Sequence, residues 1–263
     1  MRSLLGGKGA NLAEMAGLGL PVPPGFTLTT EACAHYYEIG SKKLHAAIAP
    51  QVNAALKRLE QVTGKTFGKG PNPLLVSVRS GAAASMPGMM DTVLNLGLNP
   101  DTVQAMIDKT GNERFVWDSY RRFIQMFGNV VMGIEHDLFE RELEAVKHSK
   151  GYTLDNELQV PDLRKVVARY TAMVKRVKGH AFPTDAQEQL TLGIDAVFGS
   201  WNNARAIKYR ELNDIRGLLG TAVNVQSMVF GNSGFRSATG VAFTRDPSTG
   251  EHKYFYGEYL INA

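Results

Sequence analysis

The sequence predicts an α+β chain in which a long helical segment interrupts segments that carry strands. Three observations predict it. Short apolar runs bounded by Pro and Gly occur before residue 98, apolar residues recur at helical spacing from Asn99 to Trp201, and two-residue alternation returns after Gly220. The expected organisation is therefore residues 1 to about 98, a helical insertion from 99 to about 201, and a strand-bearing stretch past Gly220. With 44% hydrophobic residues in 263 there is material for a sizeable core and more than one lobe.

Charge and cysteine usage narrow the function classes. The net charge of +4 is mildly basic, which suits an anionic ligand without identifying one. Cys33 is the single cysteine, so a disulfide framework and a cysteine metal cluster are both excluded. No run approaches the roughly 18 apolar residues of a membrane span, and the first residues lack a signal-peptide core. The expectation is a cytoplasmic chain with no membrane partner.

Taken in order, Leu4 and Leu5 lead into Gly6-Gly7-Lys8-Gly9, followed by the helix-prone run Ala10 to Ala16, stopped by Gly17 and Gly19. A glycine turn feeding a helix start gathers free N–H groups and the positive end of the dipole beside a lysine. GxxxxGK[ST] and GxGxxG are both absent, so a phosphate loop and a plain helix-capping turn with a solvated lysine stay open. Pro21 to Gly25 then turns into a strand at Phe26 to Thr29, and Thr30 with Glu31 begins a helix. Leu44, Ile48, Val52, Leu56 and Leu59 follow at helical spacing before Gly64, a core-forming pattern.

The stretch from Leu74 to Leu98 reads as strand, arginine, small-residue loop, Met-Pro-Gly-Met-Met turn, strand. Leu74, Leu75, Val76 and Val78 form the apolar run, with Pro73 and Gly81 as punctuation, and Arg79 is expected to leave the strand at a fixed place. A guanidinium holds two phosphate oxygens at once, and each charge-assisted contact is worth roughly 1.5–3 kcal/mol. Ser80 to Ser85 carry little bulk, so their N–H groups and the two serine hydroxyls can approach an anion. A hairpin-like connection with Arg79 in a surface ion pair fits the same residues.

Asn99 is a cap with Pro100 at the first helical position, and helical signals run on to about Trp201. Phe115, Tyr120, Phe123, Ile124, Phe127 and Val131 make one apolar stripe; Leu190, Ile194, Val197, Phe198 and Trp201 make another. Both read as packing. Glu140, Glu142 and Glu144 read as a solvated face. Past Gly220, Thr221 to Phe230 alternates as a half-buried strand, Gly240 to Thr244 is a strand, Asp246 to Gly250 a turn, and Lys253 to Ile261 a returning strand. The six histidines show no HExxH or metal-ligand spacing, and none is expected to be phosphorylated.

Taken together, LLGGKGANLAEMAGLGLPVPPGFTLTTEA, LLVSVRSGAAASMPGMMDT and GTAVNVQSMVFGNSGFRSATGVAFTRDPSTGE resemble, in this order and over nearly the whole chain, the amino-terminal nucleotide-binding region of the pyruvate phosphate dikinase family, an ATP-grasp fold. The resemblance implies that 1–98 with 202–235 is the first ATP-grasp subdomain and 236–263 the truncated start of the second. It implies binding of ATP and AMP with Mg2+, by Lys8, Arg79, Gly88, Met90, Asp91, Thr92, Gln226, Met228 and Val229. Gln226 to Val229 would line the adenine slot, where an ordinary sheet strand is the other reading. The family interconverts ATP, phosphate and pyruvate with AMP, diphosphate and phosphoenolpyruvate through a phosphohistidine on a swivelling domain, next to a pyruvate-binding barrel.

No match to that domain or barrel occurs here, so the chain is expected to be a fragment, inactive in catalysis alone and holding no catalytic residue and no metal ligand. A homodimer is implied for the full-length protein. Two departures stand out: Ala83 where the family's loop carries a second arginine, which removes a phosphate contact, and Leu219 where a tryptophan is common. The alternatives are a pyruvate,water or glucan,water dikinase, or a basic nucleic-acid-binding module built on Arg164, Lys165, Arg169, Lys175, Arg176 and Lys178. That cluster lacks interleaved stacking aromatics, so no nucleic-acid partner is expected.

Overall fold

A computed structural model of the chain describes residues 1–262; Ala263, the last residue of the third predicted unit, lies outside them. Helix α1 (Arg2–Gly17) bends at Gly6, and β1 (Gly25–Leu28) leads to α2 (Thr30–Ile39), which Thr29 caps by accepting from the Ala32 N–H. Helix α3 (Ser41–Thr63) ends on left-handed Gly64, as the glycine signal predicts. Two short strands, β2 (Thr66–Phe67) and β3 (Pro73–Leu74), pair parallel, and β4 (Val76–Ala82) and β5 (Thr92–Leu96) follow.

The helical stretch then runs through α4 (Pro100–Thr110), α5 (Glu113–Val130), α6 (His136–Lys150), α7 (Val160–Lys178), α8 (Ala186–Ser200) and α9 (Ala204–Leu212). Asn99 caps α4 with a reciprocal bond to Thr102, and Pro100 sits in the first turn. Helix α9 extends the helical stretch past Trp201, where the sequence signals are expected to end. Strand β6 (Thr221–Ser227) returns to the sheet, and β7 (Ala238–Phe243) with β8 (Tyr256–Ile261) form a separate antiparallel pair that is exposed along nearly its whole length.

Among the described residues the main sheet has the order β1-β6-β4-β5, with antiparallel neighbours throughout. Strand β6 is buried at every position, which corrects the half-buried expectation. The reason is its central place: α1 lies on one face, where Gly9 approaches Asn224 and Thr27, and α8 lies on the other, where Gly193 approaches Leu96 and Val78. One core cluster continues from Val78 and Val225 into Phe123, Phe127 and Tyr170 of the helical region. Both stripes read from the sequence therefore pack, as their spacing requires.

Gly220, just before β6, shows how tightly this core closes. A Cβ there would meet the Cys33 Sγ at 2.7 Å, and Cys33 is fully buried. Burial pushes that thiol up to about 11. Gly220→Ala is expected to destabilise the chain by about 1–3 kcal/mol in urea denaturation, through overpacking. Cys33 is expected to resist thiol reagents at neutral pH in the wild type and to react faster in the variant. Equal stability and equal labelling would show that this contact is loose.

Candidate functional site

The sheet register assembles a polar row. Thr27 pairs with Asn224, Asn224 with Arg79, and Arg79 with Thr92, so these four residues cross all four strands on the face that α1 covers. Asn224 is 2% exposed; its Oδ1 accepts from the Thr27 hydroxyl at 2.9 Å, and its Nδ2 has no partner among the described residues. The sequence offered one signal for it, a lone polar residue between Val223 and Val225, which the strand reading passed over.

Lys8 meets this row from α1. The bend at Gly6, with φ of +69°, presses the helix against Gly81 and brings the Lys8 ammonium to the Ser80 carbonyl at 2.9 Å. Burial, and then the charge of Arg79, hold the Lys8 ammonium below the usual lysine range. Arg79 is itself half-buried, its burial lowers its pKa, and among the described residues it has no carboxylate or hydrogen-bond partner. Arg79 thus lies within electrostatic reach of Lys8, and among the described residues no carboxylate pairs with either; Arg79 itself does not line the cavity that Lys8 reaches. A surface ion pair, the alternative open for Arg79, does not form.

Arg79 lies within β4 rather than at its end, because Ser80, Gly81 and Ala82 continue pairing with Val223, Ala222 and Thr221. Alternation carries the Ser80 side chain to the opposite face, so its carbonyl, not its hydroxyl, serves the site. The small-residue loop proper is Ala83 to Asp91. With Lys8 and Thr92 it lines a cavity of about 600 Å³, and Ala83, Ser85, Gly88 and Met90 all contribute. Arg2 and Asn11, joined by a 3.3 Å hydrogen bond, stand at the same cavity. Sequence reading missed Arg2 because the glycine signal starts after it.

Farther along the same strands lies a second cavity of about 300 Å³, walled by Met228, Val229 and Phe230 and by Leu94, Asn95 and Met126. Asn224 and Met228 are four residues apart, roughly 13 Å of extended chain. Gln226 does not join Met228 and Val229 there; its amide donates to the Pro23 carbonyl at 2.9 Å and it lines a hollow beneath α1 and α3. Asp91 faces away as well, paired with Arg205, and its carboxyl is pushed up by burial and drawn back by that arginine.

Three of the six basic residues of α7 form ion pairs. Arg164 pairs with Glu113, and Arg169 and Arg176 both pair with Glu142. Among the described residues no group of three or more His, Cys, Asp or Glu could hold a metal ion, and no helix is long and apolar enough to cross a membrane.

Comparison with known proteins shows the family. The chain matches the family described as "Pyruvate phosphate dikinase, AMP/ATP-binding domain" over residues 2–49 and 38–263. It is 60% identical over 263 residues to the chloroplastic pyruvate, phosphate dikinase of Mesembryanthemum crystallinum. It is 56% identical to the pyruvate, phosphate dikinases of Clostridium symbiosum and Rhizobium meliloti, over 264 and 262 residues. All of this chain is covered in each case, but it spans only 27%, 30% and 29% of those relatives' lengths.

Proposed function

The chain belongs to the pyruvate phosphate dikinase AMP/ATP-binding domain family, and on that premise we propose that it binds ATP in an ATP-grasp manner, with the triphosphate between Lys8 and Arg79. Gly88, Met90 and Thr92 cover the phosphates, while Asp91 contributes through the turn it anchors. The adenine lies against Met228 and Val229, and Gln226 braces the strand beneath. What supports this reading above all is that Arg79 acts electrostatically on Lys8 and that, among the described residues, neither has a carboxylate partner.

The chemistry of these residues is electrostatic. Lys8 and Arg79 neutralise phosphate charge, and the Ala83 to Asp91 loop excludes water, so each charge acts in a medium of lower dielectric. Magnesium would supply further neutralisation of phosphate charge. The cavity lining carries no carboxylate, so the residues described here do not fit a metal site, and the ligands proposed for the ion lie outside this chain.

We propose further that the chain works within a phosphotransferase that interconverts ATP, phosphate and pyruvate with AMP, diphosphate and phosphoenolpyruvate. A phosphohistidine domain, a pyruvate-binding barrel and a homodimer partner belong to that larger assembly, and this chain alone would not turn over. The units 1–98 with 202–235, 99–201 and 236–263 are proposed as the first grasp subdomain, the helical insertion and the start of the second. A reducing compartment, the cytoplasm, suits the single buried thiol, although several relatives are named as chloroplastic.

Calorimetric titration of adenosine, AMP and ATP tests the reading. Affinity should rise with each added phosphate; adenosine binding as tightly as ATP would overturn it. Ala83 lines the phosphate cavity, so Ala83→Arg should tighten ATP about tenfold, the equivalent of about 1.4 kcal/mol. No gain would mean that the loop does not meet phosphate at this position.

A further inference from the structure

Four contacts tie the turn that covers the proposed phosphate cavity to the corner between α8 and α9. The Arg205 Nε donates to the Met89 carbonyl at 3.2 Å, and its Nη2 pairs with the Asp91 carboxylate. The Asn203 amide donates to the same Met89 carbonyl at 3.1 Å, and the Asp91 N–H donates to the Ser200 hydroxyl at 3.2 Å. The corner itself is rigidly held. Ser200 is buried and donates onward to the Val197 carbonyl at 2.7 Å, and the Asn203 side chain caps α9 by accepting from the Ala206 N–H at 2.7 Å.

The turn, by contrast, has little to order it from within. Its one internal backbone bond among the described residues runs from the Met89 N–H to the Met86 carbonyl, Gly88 adopts a φ of +71° with no atom near its missing side chain, and Pro87 and Gly88 are exposed. An exposed turn of this kind samples many conformations unless something outside it holds two of its points. Arg205 holds two points at once, a carbonyl and a carboxylate two residues apart, with a planar fork suited to both.

We propose that Arg205 is a positioning residue that latches the Met86 to Asp91 turn in its cavity-lining conformation, so that nucleotide is received by a loop already ordered. The proposal rests on the nucleotide reading above and adds a residue outside the phosphate cradle. Arg205 lines neither cavity and touches no proposed ligand atom; it acts through Met89 and Asp91. Preordering of this kind raises affinity because the cost of immobilising the loop is met before the ligand arrives.

Two measurements on the 263-residue chain separate the latch from the nucleotide reading. In the ligand-free chain, Arg205→Ala should speed amide hydrogen exchange across residues 84 to 91 by about tenfold, with exchange in α5 and α7 unchanged. ATP affinity by calorimetry should fall by about tenfold in the same variant, with Arg205→Lys recovering part of both effects. Unchanged exchange and unchanged affinity would overturn the proposal, and so would a loss of affinity with unchanged exchange, which would place Arg205 on the ligand itself. Faster exchange in Arg205→Ala, in a chain whose wild type binds no ATP, would support the latch while overturning the nucleotide reading alone.

Discussion

Gly6→Ala is expected to destabilise the chain by about 3 kcal/mol or more and to abolish measurable ATP binding. A Cβ at this position would lie 1.5 Å from the Gly81 carbonyl oxygen and 2.5 Å from its carbon, and both belong to strand backbone that cannot rotate away. The residue also adopts a φ of +69°, which adds about 1–2 kcal/mol for any side chain. The accommodation left is for α1 to lift from β4, which carries Lys8 away from Arg79. Gly88→Ala is the control, since its φ of +71° brings the backbone cost with no neighbour to strike. Urea denaturation should separate the two variants by at least about 2 kcal/mol. Equal stabilities would mean that α1 is not seated on the sheet as described.

Removing either cation of the cradle should have the second large effect. Lys8→Ala and Arg79→Ala each delete a charge-assisted contact worth roughly 1.5–3 kcal/mol, so each should weaken ATP by roughly 10- to 150-fold. Neither loss should cost much stability, because the two like charges repel and, among the described residues, Arg79 has no partner to leave unpaired. The pH dependence follows with its sign. Burial and the neighbouring guanidinium favour the neutral amine at Lys8, so its proton is lost below the usual lysine range and ATP affinity falls early on the alkaline side. Lys8→Arg keeps its charge at those pH values and should flatten the profile.

Local chemistry made much of this fold legible. The Asn99 and Pro100 signal opens α4, Thr30 with Glu31 begins α2, Gly64 ends α3, and the Phe123 and Phe127 stripe faces the core, because each depends on residues within a turn or two. The rest depends on pairing between distant segments. Nothing near Arg79 tells that Ser80 to Ala82 will be held by Thr221 to Val223, so the strand looked shorter than it is. Thr27, Asn224, Arg79 and Thr92 stand up to 197 residues apart in sequence and become one row only through the sheet register. The pairing of Asp91 was hidden for the same reason: its partner Arg205 is 114 residues away. Lys8 and Arg79 were both legible individually, as a lysine in a glycine turn and an arginine in a small-residue segment, whereas their juxtaposition required the bend at Gly6.

The nucleotide-binding role proposed for this chain depends on Lys8 and Arg79 acting together on one phosphate chain. Isothermal titration of ATP into the wild type, Lys8→Ala and Arg79→Ala at a single ionic strength addresses that dependence most directly. Each variant should bind at least about tenfold more weakly than the wild type. Three equal affinities would contradict the account.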